Sequence, residues 1–142
     1  MIPFKDITKL GQRTMLENNL FSVSWILGRF CNYNCSYCWP YARSSTPDHQ
    51  EFKIYTNAID EIKRQARENG FDKFHFSFSG GEPTAYKKFI DLIKHYEDYE
   101  SKYLSIHMTS NCSPAKRGRT RWLDATHVMD RRSITASFHA EF

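Results

Sequence analysis

A chain of 142 residues, 40% hydrophobic and 25% charged, has the size and polarity of one folded domain with a real core. Its net charge of +4 permits an anionic partner without demanding one. No run approaches the roughly 18 continuous apolar residues of a membrane span. The start, MIPFKDITKLGQRT, lacks the apolar core of a secretory leader, so the expectation is a cytoplasmic protein with no membrane partner.

In chain order, FSVSWILGRF (21–30) alternates Phe21, Val23, Trp25 and Leu27 against Ser22, Ser24 and Gly28, and reads as a strand. YTNAIDEIKRQARENG (55–70) sets Tyr55, Ala58, Ile59, Ile62 and Ala66 on one helical face, with Gly70 as its stop. KFHFSFSGG (73–81) is a strand entering a glycine turn, and TAYKKFIDLIKHY (84–96) carries Tyr86, Phe89, Ile90 and Ile93 at helical spacing. YLSIHMTSN (103–111) and SITASFHAEF (133–142) predict two further strands. Between them, 113–130 occupies the place of a third helix, although its periodicity is poor. Strands alternating with helices predict right-handed crossovers and a parallel sheet.

Three of these strands share a one-sided pattern. Phe74, Phe76 and Phe78 alternate with His75, Ser77 and Ser79; Leu104, Ile106 and Met108 with Ser105, His107 and Thr109; Ile134, Ala136 and Phe138 with Thr135, Ser137 and His139. Parallel strands buried on both faces read as continuous apolar runs. Here one face suits helices, while the other suits the polar, ligand-lined concave side of a curved sheet.

Two motifs fall just after strands, where parallel α/β folds place their ligands. CNYNCSYC puts Cys31, Cys35 and Cys38 within eight positions, and Cys112 stands apart. Cysteines in a chain with no export signal indicate metal or redox use rather than disulfides. A closed zinc site takes four ligands, whereas three thiolates suit a metal centre with one position open. Some forty residues on, Ser79 leads into Gly80, Gly81, Glu82 and Pro83.

The C-x3-C-x2-C loop and the G-G-E-P turn, in this order and on these strands, resemble the core of the radical S-adenosylmethionine (SAM) enzyme superfamily. The resemblance runs from about residue 21 onward, dividing the chain into an N-terminal extension (1–20) and a core domain (21–142). It implies a 4Fe-4S cluster on Cys31, Cys35 and Cys38, with the free iron binding the methionine moiety of SAM. Reductive cleavage of SAM then yields a 5′-deoxyadenosyl radical that abstracts hydrogen from a small-molecule, peptide or RNA substrate. The electron comes from a donor such as flavodoxin or ferredoxin.

Carried over by position, the glycine turn lets backbone approach the ligand, and Glu82 resembles the acceptor for the SAM amino group. Tyr37 matches the aromatic position beside the adenine. Asn111 resembles the T-N-G position, although TSNCS lacks the glycine, and Ser137 a ribose contact, although SFHAE departs from S-L-D-G. Plainer readings stand beside these. Tyr37 and Trp39 equally suit caps over the core, and Ser77, Ser79 and Ser137 small fillers. The histidines at 75, 107 and 139 suit structural hydrogen bonding, and Cys112 a free buried thiol.

The superfamily's barrel has six strand–helix units. Four strands here predict an α/β fold that is a partial (βα)6, TIM-like barrel, and a truncated chain. Two alternatives are a structural zinc module using Cys31, Cys35, Cys38 and Cys112, and a nucleic-acid-binding module using Lys116, Arg117, Arg119 and Arg121 beside Trp122. The first leaves the Gly-Gly-Glu-Pro turn unexplained. For the second, a solvated helix face is the commoner origin of such a charge run.

Overall fold

The computed structural model describes residues 19–113 and 116–140. The expected extension over 1–20 lies almost wholly outside these residues, as does the end of the last predicted strand, 141–142. The elements run β1 (Leu20–Ile26), α1 (Phe52–Glu68), β2 (Lys73–Ser79), α2 (Phe89–Tyr96), β3 (Tyr103–Ser110), α3 (Lys116–Ala125) and β4 (Arg131–Ala136). All strand pairs are parallel, in the order β1-β2-β3-β4, as strand–helix alternation requires. The result is a partial TIM-like α/β fold.

Register explains the one-sided pattern. Phe74 lies opposite Leu104, Phe76 opposite Ile106 and Phe78 opposite Met108, so the apolar residues form continuous rows across the sheet. The three phenylalanines have no accessible surface. They join Tyr55 and Ile59 of α1, Leu92, Ile93 and Tyr96 of α2, and Trp122 of α3 in one core. Each such side chain contributes about 1.5–3 kcal/mol by leaving water.

The opposite face is stitched by its polar groups. His75 lies opposite Ser105 and His107 opposite Ser133, with Nδ1 to Oγ distances of 2.8 Å in both pairs. These two histidines are the cross-strand structural groups expected of them.

One buried charge fastens α1 to the segment after α2. The Lys63 ammonium donates to the Tyr96 carbonyl, lies 3.4 Å from the Asp98 carboxylate and sits 4.5 Å from the centre of the Tyr96 ring. Burial lowers the Lys63 pKa, and Asp98 opposes that shift.

Three predicted elements change in extent. The helix expected over 84–96 is broken into a short 3-10 turn, Pro83–Ala85, and α2. Glu82 caps the start of the turn by accepting the Thr84 amide, and the break falls at Tyr86, whose extended backbone (φ −71°, ψ 114°) ends the turn before α2 starts. α3 forms despite its weak pattern because Trp122 and Ala125 reach the core. β4 stops at Ala136, leaving Ser137 and His139 on the loop beyond it and Phe138 90% exposed.

Candidate active site

Beyond β1 the chain leaves the sheet and returns to form a loop with a narrow neck. Phe30 pairs with Ser44 in an isolated parallel bridge; the Cys31 amide donates to the Ser44 carbonyl (3.2 Å) and the Ser44 amide to the Arg29 carbonyl (2.8 Å). Asp48 closes the neck below them. Its carboxylate accepts the amides of Arg29 and Phe30, each at 2.9 Å, and the Arg29 guanidinium at 3.2 Å. Burial raises the Asp48 pKa, but these donors outweigh it and hold the group below the usual carboxylate range. Tyr55 of α1 adds a second tie, accepting the Gln50 amide and donating to the Leu27 carbonyl.

The glycine turn then docks under the neck. The Glu82 amide donates to the Phe30 carbonyl at 2.9 Å. Gly80 and Gly81 hold φ of 85° and 45°, in the left-handed region that disfavours side chains. A β-carbon on Gly81 would sit 2.1 Å from the Phe30 oxygen, so only glycine lets the two segments touch.

Glu82 is 1% exposed. One of its oxygens accepts the Thr84 amide (3.1 Å), the Thr84 hydroxyl (2.5 Å) and the Ser110 hydroxyl (2.9 Å), while the other accepts the Asn111 amide (2.7 Å). The carboxylate therefore joins the turn after β2 to the end of β3, and it lies beneath the cavity rather than in its wall. Asn111 extends the same network upward, reaching Asn32 Oδ1 at 3.0 Å and Cys31 Sγ at 3.8 Å.

Above this platform is a cavity of about 400 Å³. Its wall brings together Cys31, Cys35 and Cys38, then the backbone of Gly80 and Gly81. Tyr37, Asn111 and Ser137 also face it. Ser79 and Pro83 support the turn from β2 and from the buried start of the 3-10 turn, and do not face the cavity. Tyr37 and Trp39 do not cap the core, for they are 57% and 74% exposed at the cavity mouth. Cys112 is partly exposed, not buried, holds a φ of 55°, and is not among the residues that line the cavity.

The donor set can be compared with what different metal centres need. Among the described residues, no three His, Cys, Asp or Glu side chains gather around a point that one ion could occupy. A four-thiolate zinc site needs that convergence around one ion. An iron–sulfur cube needs thiolates spread over different irons, and three separate thiols around one roomy cavity fit it.

The sequence and the family description of the radical SAM superfamily match over residues 25–126. That match covers most of the chain and spans both rim motifs. The chain belongs to the radical SAM superfamily. Curated relatives include an S-adenosylmethionine-dependent nucleotide dehydratase of Danio rerio, 33% identical over 97 residues, covering 65% of this chain and 24% of the relative. Its Oncorhynchus mykiss counterpart is 30% identical over 97 residues, covering 65% and 25% respectively. A cysteine-type anaerobic sulfatase-maturating enzyme of Clostridium novyi (strain NT) is 31% identical over 72 residues, covering 46% and 19%. The chain thus spans a quarter or less of the length of these relatives, and what it carries is a radical SAM superfamily domain.

Two residues that shape this radical SAM site were missed in the sequence. Asp48 acts across 19 residues on Arg29, and no local pattern marks it. Ser110 is hidden within β3, where it reads as one more small strand residue.

Proposed function

We propose that this chain is the cluster- and SAM-binding part of a radical SAM enzyme, with Cys31, Cys35 and Cys38 holding a 4Fe-4S cluster and residues 21–142 forming the core. When bound, the cluster and SAM supply reductive cleavage to a 5′-deoxyadenosyl radical, which takes hydrogen from a substrate not yet identified. The observation that carries this reading is the cavity joining the three thiols to the backbone of Gly80 and Gly81.

The protein's own contribution is to bind and orient. The three cysteines would supply thiolates, the form in which cysteine ligates metal. Gly80 and Gly81 keep the cavity wall free of side chains, so that backbone carbonyl and amide groups face the SAM methionine moiety. Glu82 lies just beneath and orients that wall through Ser110 and Asn111, with one lone pair of its second oxygen left toward an ammonium. Tyr37 offers an exposed ring at the mouth for the adenine, and Ser137 a hydroxyl for the ribose. The electron enters from a flavodoxin- or ferredoxin-like donor. No helix among the described residues is long and apolar enough to cross a membrane, and the cytoplasm suits oxygen-sensitive thiolate chemistry.

Anaerobic reconstitution tests this directly. Wild-type protein is expected to take up about four irons and four sulfides per chain, with a brown chromophore. Cys31→Ala, Cys35→Ala and Cys38→Ala should each abolish the cluster, and Cys112→Ala should leave it intact. A colourless protein that holds one zinc and loses it on Cys112→Ala overturns the reading.

A further inference from the structure

Cys35 is the one buried residue of its loop, and a residue 104 positions away in sequence lies against it. His139, on the segment after β4, brings Nδ1 within 3.2 Å of Cys35 Sγ and 2.6 Å of the Tyr37 hydroxyl. Its ring is held on two sides. Tyr37 lies nearly parallel to it, at 10° with centroids 6.0 Å apart, and Tyr33 meets it edge-on at 86° and 5.5 Å. The imidazole is therefore fixed in orientation by two aromatic rings that belong to the cysteine loop itself.

The donor and acceptor inventory constrains what this contact does. A free thiol can donate weakly to an unprotonated Nδ1. A thiolate on iron only accepts, so an unprotonated Nδ1 would leave two acceptors facing each other at 3.2 Å. The contact is favourable on a loaded site only with the proton on Nδ1, pointing at Cys35 sulfur, and with the Tyr37 hydroxyl accepting a share of it. Hydrogen bonds to cluster sulfurs stabilise the more negative, reduced state and so set how readily a cluster accepts an electron.

Building on the cluster reading above, we propose that His139 is a positioning residue for the metal centre, donating Nδ1–H to the Cys35 thiolate. It thereby ties the cysteine loop to the end of β4 and raises the cluster's reduction potential. The hydrogen bond is made by this chain's own departure from the S-L-D-G wording, the histidine of SFHAE.

The test uses reconstituted protein without SAM, titrated anaerobically and followed by electron paramagnetic resonance. His139→Phe keeps a ring between Tyr33 and Tyr37 but removes the donor; His139→Asn places an amide N–H near the same point. With iron and sulfide contents equal, His139→Phe should lower the reduced-to-oxidised ratio at a fixed potential by about tenfold, a shift of about 59 mV for one electron. His139→Asn should stay at the wild-type potential. Histidine-labelled (15N) wild-type protein should also show a weak nitrogen coupling to the reduced cluster that disappears in His139→Asn. That second readout decides the matter if His139→Phe fails to load. A His139→Phe potential equal to wild type, a His139→Asn potential equal to that of the phenylalanine variant, absent nitrogen coupling, or coupling of ligand strength overturns the hydrogen bond. A wild-type chain that takes up no cluster sinks the cluster reading, and this inference with it.

Discussion

The Gly80-Gly81-Glu82 turn and the cysteine loop meet at Phe30, yet they are held by different means. The turn is pinned from within: Glu82 and Pro83 are buried, and one carboxylate gathers donors from Thr84, Ser110 and Asn111. The loop lies mostly in water, with Trp39 and Tyr41 exposed, and it is gripped at its neck by Ser44, Asp48 and Tyr55. A buried turn bonded through both carboxylate oxygens keeps its shape without a ligand. On the function proposed above, a loop closed at its base and held elsewhere by few buried contacts takes its final order from the cluster its three thiols would bind. On that proposal, the rim combines one preformed wall with one that loading would complete.

The sharpest way to break that contrast is to put a side chain where the two walls touch. Gly81→Ala forces a β-carbon against the Phe30 carbonyl at a positive φ. Strain plus overpacking should cost at least about 3 kcal/mol. Chemical denaturation should report a large drop in midpoint, and the cluster should no longer assemble. A Gly81→Ala protein as stable as wild type would show that the turn is not preformed.

Next in size is Glu82. Glu82→Ala strands the Thr84 and Asn111 amides and the Ser110 hydroxyl in a buried site. Unmade buried hydrogen bonds of this kind cost about 1–3 kcal/mol each before relaxation. The expected result is a loss of global stability in the apo protein, measured by denaturant unfolding, in addition to weakened SAM binding. A variant that loses SAM affinity with its stability untouched would make Glu82 a ligand group alone.

Asp48→Ala should act on the loop alone, which is the smallest of the three effects. Removing the acceptor for the Arg29 and Phe30 amides opens the neck by about 1–2 kcal/mol, a factor of about 5–30 in the open population. Trypsin cleavage after Arg43, the one lysine or arginine between Cys31 and Gln50, should accelerate accordingly while the global midpoint barely moves. Acid should mimic the substitution. The Asp48 pKa is depressed in the fold, so the clamp is fully present above the ordinary aspartate value of about 3.9 and is lost as pH falls through the lower folded value. Opening of the loop, read by an acid-tolerant protease or by hydrogen exchange, should be flat from neutrality down to about pH 4 and rise below it.

Much of the scaffold was legible because its signals are local. Phe74, Phe76 and Phe78 announce a one-sided strand through alternation alone, and their opposite numbers in β3 carry the same period. The cysteine spacing and the Gly-Gly-Glu-Pro turn are legible for the same reason: each is written within a few consecutive residues. What escaped was whatever depends on distant partners. The clamp of Asp48 on Arg29 spans 19 residues, the Ser110 bond to Glu82 spans 28, and the His139 contact with Cys35 spans 104. The break between the 3-10 turn and α2 was hidden likewise, because the Tyr86, Phe89 and Ile93 spacing says nothing of the extended backbone at Tyr86.

The central claim is that the three thiols and the glycine turn form one site, with cluster and SAM meeting in a single cavity. Electron paramagnetic resonance of the reduced, reconstituted protein, recorded with and without saturating SAM, tests it most directly. SAM bound at the open iron should change the signal's g values and line shape in the wild type. An identical signal in both samples, from a protein shown to carry about four irons and four sulfides, would contradict the claim.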